Sequence, residues 1–196
     1  IEMQDHGRYR LVGQTIDDAA GEAFDKVARF LDLGYPGGPA IERAALDGDP
    51  EAIRFPRAIM DEGYDFSFSG LKTAVVNYVR KHPDVSSEDV AASFQAAVVD
   101  VLVTKARRAA GEVGATGIVL GGGVAANSQL REQMLDACEH DGIQGFLPSR
   151  AMCTDNAAMI AAAGWHRRDD RRVVLRLLAD AVYLQPDLGP AFRPRR

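Results

Sequence analysis

Residues 117–130 read GIVLGGGVAANSQL, and no other stretch restricts the possible folds as strongly. An apolar run of β-branched and aliphatic residues, Ile118, Val119 and Leu120, delivers three consecutive glycines. Small residues follow, and then a helical pattern begins at Ser128. That order predicts a buried strand, a glycine turn and a helix from about Ser128 to His140. Glycines let backbone amides approach a bound group, and a helix N-terminus favours anions. Asn127 stands where its amide can cap the helix or bond a ligand. The segment is neither GxGxxG nor a Walker loop ending in GK[ST]. A tight strand-to-helix turn with a capping Asn accounts for it equally well, since glycine-rich junctions recur in doubly wound folds.

The rest of the chain alternates in the same way. Ile1–Gln4 and Tyr9–Gly13 read as a β-hairpin turning at Asp5, His6 and Gly7. Asp17 to Leu33 carries one apolar stripe and reads as a helix capped by the Asp17–Asp18 pair and ended by Gly34. Tyr35-Pro-Gly-Gly-Pro39 is a turn, with Pro39 suited to open the next helix, which runs to about Leu46. Residues 48–63 read as a loop with an extended piece near 53–55. Asp65 to Gly70 alternates aromatic and small residues like a strand, and Leu71 to Lys81 like a helix. Ser86 and Ser87 cap a long helix from Glu88 to about Gly111. Gly145–Leu147 is a short strand, and Asp155, a natural N-cap, opens an Ala-rich helix to Trp165. The pattern is α/β.

Composition excludes several classes. The chain has 196 residues, enough for one domain or one and a half, with 46% hydrophobic and 26% charged residues, as in an ordinary folded protein. Two cysteines, Cys138 and Cys153, cannot make a disulfide framework, which favours a reducing compartment. No apolar run has the length of a membrane helix. The net charge of -5 argues against unaided RNA binding. The basic residues Arg167, Arg168, Arg171, Arg172, Arg193, Arg195 and Arg196 read more simply as a solvated tail than as a phosphate patch. The start at Ile1 rather than Met sets the expectation that the N-terminus has been cut or left out.

Two carboxylate patterns bear on chemistry. Asp18, Glu22 and Asp25 share one helix face, where they either face water or bind a hydroxyl or a metal, with Asp25 placed to accept from a ribose. Asp155, in Cys153-Thr-Asp-Asn156, is either a cap or one ligand of a metal whose partners come from elsewhere. His6, His82, His140 and His166 have no HxxxH or HExxH spacing and read as surface residues, and no GxSxG elbow occurs.

Four segments stand together: Asp17-Asp-Ala-Ala-Gly-Glu-Ala-Phe-Asp-Lys26 with Tyr35-Pro-Gly-Gly-Pro39; Phe66-Ser-Phe-Ser-Gly-Leu-Lys-Thr73; Gly121-Gly-Gly-Val-Ala-Ala-Asn127; and Cys153-Thr-Asp-Asn156. In this order and spacing they resemble the TsaD family, enzymes that transfer threonylcarbamoyl to tRNA and whose relatives were long labelled glycoproteases. The resemblance runs to about Gly164. It implies an actin-like ATPase, sugar kinase and Hsp70 type of lobe (ASKHA, RNase H-like), truncated at its N-terminus. Residues 1–165 would form that lobe without its first strand, with a helical insertion over about 17–63 and a tail from 166 to 196. Asp25 would hold the ribose, Gly38 would line the adenine and ribose side, Glu42 would share the ribose, Asn127 would contact the substrate, and Asp155 would bind a divalent metal, iron or zinc. ATP or threonylcarbamoyl-AMP would be the nucleotide ligand. The partners would be tRNA, a smaller TsaB-like paralogue and a TsaE-like ATPase, in the cytoplasm. The family's two histidine ligands in HxxxH, and its SGGHT segment, are expected upstream of Ile1, so this chain alone is expected to be inactive.

Three rival readings remain at this point. A metallopeptidase, following the old label, needs a base beside a metal pair. A small-molecule kinase of the same fold needs a general-base Asp and a sugar pocket. Neither set is legible. A non-catalytic paralogue would generally lose the glycine-loop Asn and the metal Asp, and Asn127 and Asp155 are both present.

Overall fold

The computed structural model describes residues 1–168. It contains four strands and six α-helices among those residues: β1 (Glu2–Asp5), β2 (Arg8–Arg10), α1 (Ala20–Phe30), α2 (Gly37–Ala45), α3 (Ser69–Lys81), α4 (Ser87–Val113), β3 (Gly117–Val119), α5 (Ser128–His140), β4 (Gln144–Phe146) and α6 (Ala157–His166). Mixed helix and strand is the class expected from the alternation. The chain forms two compact units, one of Ile1–Glu2 with Arg10–Thr154, the other of Met3–Tyr9 with the segment from residue 155 onward.

The first unit is built around α4, 27 residues long and so about 40 Å from end to end. Ser86 Oγ accepts from Asp89 N at 3.2 Å, Glu88 and Asp89 place negative charge in the first turn, and Gly114 stops the helix at φ 62°. One side of α4 presents Val90, Phe94, Ala97, Val98 and Val101 to a core shared with Phe24 and Val27 of α1, Ile41 of α2, and Leu71 and Val75 of α3. Phe24 and Phe94 meet edge to face, with ring centroids 5.2 Å apart. Further along α4, Val99 faces a second cluster with Leu130, Met134 and Cys138 of α5. β3 and β4 run parallel, pairing Gly117 with Gln144, Ile118 with Gly145 and Val119 with Phe146. Val124 packs against both clusters and so ties the glycine turn to each.

Several expectations change here. The strand expected over 65–70 is one isolated bridge, Thr15 with Phe66, and α3 has already begun at Ser69. The reason is Asp17. Its Oδ1 accepts from Phe68 N at 2.8 Å and Ser69 N at 3.3 Å, and its Oδ2 from the hydroxyls of Ser67 and Ser69 at 2.5 and 2.8 Å. Asp17 therefore caps α3 rather than α1, whose N-cap Ala19 has no side-chain cap bond. Pro39 is not the first residue of α2. Gly37 is, with Pro36 at the N-cap. The extended piece near 53–55 is instead a loop fastened to α4: Ser93 Oγ accepts from Ile53 N and donates to Asp49 O, both at 3.1 Å, and Ile53 and Phe55 are buried. Nor is β3 buried, because Val119 is 71% exposed.

β1 and β2 form the expected hairpin, of which Met3–Tyr9 falls in the second unit, with Gly7 at φ 80° in a two-residue connection. α6 is capped by Asn156, whose side chain accepts from Met159 N at 3.1 Å, and not by Asp155. The His6 and His166 rings stack with centroids 3.5 Å apart. All four histidines are exposed. Arg171, Arg172, Arg193, Arg195 and Arg196, with most of the tail expected over 166–196, lie outside the described residues.

Candidate functional site

The three carboxylates on α1 and its approach do not act alike. Lys26 Nζ binds Asp18 Oδ1 at 2.7 Å and Glu22 Oε1 at 2.8 Å, so one ammonium bridges two of the three carboxylates and offsets one of their charges. Asp18 Oδ2 is buried without a hydrogen-bond partner among the described residues. Asp25 is turned elsewhere, and its Oδ1 accepts from Gly37 N at 2.7 Å. That bond seats the first residue of α2 on α1. A Cβ on Gly37 would stand 2.6 Å from Phe24 O, so only glycine permits this approach. Gly38, one residue on, has nothing within 4 Å of the place its Cβ would take.

α2 carries the second contact. Glu42 Oε1 accepts from Ser128 N at 2.8 Å, at the first residue of α5. The negative charge expected at this helix N-terminus is thus supplied by the protein itself. Asn127 caps the same helix: its Oδ1 accepts from Leu130 N at 2.9 Å, and its Nδ2 donates to Gln95 Oε1 at 2.7 Å. Arg150 adds a bond to Ser128 Oγ at 2.6 Å, and Arg131 one to Ala125 O at 2.9 Å. A Cβ on Gly21 of α1 would lie 3.5 Å from Val124 in the 3-10 turn Gly123–Ala126. The glycine turn, the start of α5, α1 and α2 therefore meet in one place. Gly121, Gly122 and Gly123 each have open space within 4 Å of their Cβ positions, and Gly122 has φ 83°.

Asp25, Gly38, Glu42 and Asn127 all fall in the first unit, and their elements converge as described. Asp155 falls in the second unit. Among the described residues no group of three or more His, Cys, Asp or Glu could hold a metal ion, so a single carboxylate at 155 does not constitute a metal site. No helix of the described residues is long and apolar enough to cross a membrane. Both cysteines are free and buried, and burial pushes the Cys138 thiol up.

The sequence reading missed Gly37, Gln95, Ser128 and Arg150. Gly37 had a signal, as one of two adjacent glycines in the turn. Gln95 had none, being a polar residue in the middle of an apolar helix with its partners far along the chain.

The family model described as TsaD, tRNA N6-adenosine threonylcarbamoyltransferase, matches residues 1–162. A protein of that name from Geotalea daltonii is 56% identical over 168 residues, 83% of this chain and 49% of its own length. Another, from Symbiobacterium thermophilum, is 56% identical over 85% of this chain and 50% of its own. A third, from Moorella thermoacetica, is 53% identical over 92% and 55%. The chain spans about half the length of the curated relatives it matches. A family match over residues 1–162, with identities of 53–56% to these relatives, means that the chain belongs to the TsaD family of tRNA N6-adenosine threonylcarbamoyltransferases.

Proposed function

We propose that the protein transfers a threonylcarbamoyl group from threonylcarbamoyl-AMP to N6 of the adenosine adjacent to the anticodon, in tRNAs that read codons beginning with A. The N6 amine attacks the carbamoyl carbon and AMP departs. The observation that carries the reading is the Glu42–Ser128 bond. It joins α2, which opens inside the Tyr35–Pro39 segment, to α5, which follows the glycine turn, and so supports reading the two glycine segments as parts of one nucleotide site.

Each residue then has a role. Asp25 uses Oδ1 on Gly37 and offers its other oxygen to the ribose. Glu42 does the same with Ser128 and shares the ribose. Gly38 leaves room for the adenine and ribose side, and Asn127 contacts the substrate from the glycine turn. The N-terminus of α5 is already answered by Glu42, so the reading assigns the AMP phosphate to the backbone of residues 121–123. The lobe is of the ASKHA type. Asp155 would ligate one divalent ion, iron or zinc, whose other ligands lie beyond the described residues. When bound, the ion would polarise the threonylcarbamoyl group. The acidic balance of the chain suits a protein that grips tRNA with help, from a TsaB-like paralogue and a TsaE-like ATPase in the cytoplasm.

The test is transfer of labelled threonylcarbamoyl to tRNA by the full chain with those partners. Asp25→Ala should raise KM for threonylcarbamoyl-AMP, and Asp155→Ala should lower the metal bound per chain, read by elemental analysis. Unchanged turnover and metal content in both variants would refute the reading. Nothing in the site favours a peptidase or a sugar kinase.

A further inference from the structure

Asn127 is 7% exposed and Gln95 is 6% exposed, so neither amide turns freely in water. Leu130 N donates to Asn127 at 2.9 Å. A backbone N–H only donates, so the end of Asn127 that faces it is oxygen, and the other end is the NH2. That NH2 donates to Gln95 at 2.7 Å, which makes the facing end of Gln95 its oxygen. Gln95 Nε2 is then left to donate to Gln129 Oε1, at 2.9 Å. One backbone donor fixes the polarity of three side-chain amides in succession. Turning over Asn127 or Gln95 would set two donors or two acceptors face to face in a buried place, while the part-buried Gln129 ends the series.

We infer that Gln95 is a positioning residue of the nucleotide site. It holds the Asn127 amide so that the second hydrogen on Nδ2 is presented to the ligand, and the site selects an acceptor atom at that point. The inference rests on the reading of Asn127 as a substrate contact. Among the described residues, the Gln95 amide bonds Asn127 and Gln129. Its place on α4, between the buried Phe94 and Ala97, gives it a rigid carrier that a loop residue would lack. Without it, Asn127 would keep its cap bond to Leu130 but lose the partner that fixes the other end of the amide.

The test is calorimetric titration of AMP into the full chain, for wild type, Gln95→Met, Gln95→Glu and Asn127→Ala. Methionine keeps the shape and removes the acceptor. Glutamate keeps an acceptor for Asn127 in either protonation state and, when protonated, also reproduces the donor to Gln129. Gln95→Met should weaken AMP binding roughly tenfold, the cost of a stranded buried donor converted to affinity. Gln95→Glu should stay within about threefold of wild type. Rescue by glutamate is the readout that a purely structural role would not give. If Asn127→Ala weakens AMP and Gln95→Met does not, the inference falls and the substrate reading stands. Equal losses in Gln95→Met and Gln95→Glu, tracking their melting temperatures, would also overturn it. If Asn127→Ala leaves AMP affinity unchanged, the substrate reading of Asn127 fails and the inference with it.

Discussion

Gly37 and Gly38 are neighbours with opposite surroundings. A methyl group on Gly37 would press on Phe24 O and the Asp25 backbone, where nothing flexible can yield. Gly37→Ala should cost about 1–3 kcal/mol, the usual range for overpacking, as a lower urea midpoint with unchanged slope. Gly38→Ala meets open space and should leave the midpoint unchanged or raise it by up to about 1 kcal/mol, because alanine restricts the unfolded chain. If Gly38 borders the nucleotide, the same variant should weaken AMP binding despite its stability.

Asp17 shows a different balance at the same scale. Burial would push its carboxyl up, but hydrogen bonds from Ser67, Phe68 and Ser69 outweigh that and hold the pKa at about 2, against 3.8 for a free side chain. A carboxyl depressed on folding stabilises the protein above its unfolded pKa, and that contribution disappears as the pH falls through the folded one. The window is therefore pH 4 down to 2. Thermal melts across it should show a steeper loss for wild type than for Asp17→Asn. The side chain is exposed, so water keeps the difference modest.

Among the elements, α4 also fastens the 62–65 loop through a buried lysine. Lys105 is 1% exposed, and its Nζ donates to Glu62 O at 3.1 Å and Asp65 O at 2.5 Å. Burial lowers its pKa, no carboxylate pairs with it among the described residues, and the Phe66 ring lies 5.7 Å away. Lys105→Met should leave both carbonyls without a donor and cost about 1–3 kcal/mol in chemical denaturation.

The same elements separate what could be read in advance from what could not. The caps at Ser86 and Asn127 were legible because donor and acceptor lie three residues apart. Gly34 and the glycine turn carried their own backbone signal, whereas the long helix, expected to end near Gly111, stops instead at Gly114. Phe66-Ser-Phe-Ser69 misled because its alternation matches a strand, while the residue that decides the matter, Asp17, lies 51 positions before the Phe68 amide it binds. Glu42 lies 86 positions from Ser128, and Asn127 lies 32 from Gln95. Periodicity reports a residue's own helix or strand. It carries no information about which distant backbone amide a carboxylate will find. The proposed site residues therefore came from the family pattern, while their mutual bonds required the fold.

At the scale of the whole molecule, the two units hold different parts of the proposed chemistry: the nucleotide residues in the first, Asp155 in the second. The chain matches only about half the length of its relatives, and its β3–β4 sheet has two strands among the described residues. Val119 and Phe146 are paired in register, so their side chains share one face, 71% and 51% exposed respectively. A two-stranded parallel sheet with an apolar face and open edges is a template for further strands. In solution this chain should therefore behave as a sticky colloid before it behaves as a catalyst. It should bind a hydrophobic dye and scatter light as its concentration rises, and Val119→Lys with Phe146→Lys should suppress both while leaving the melting temperature nearly unchanged.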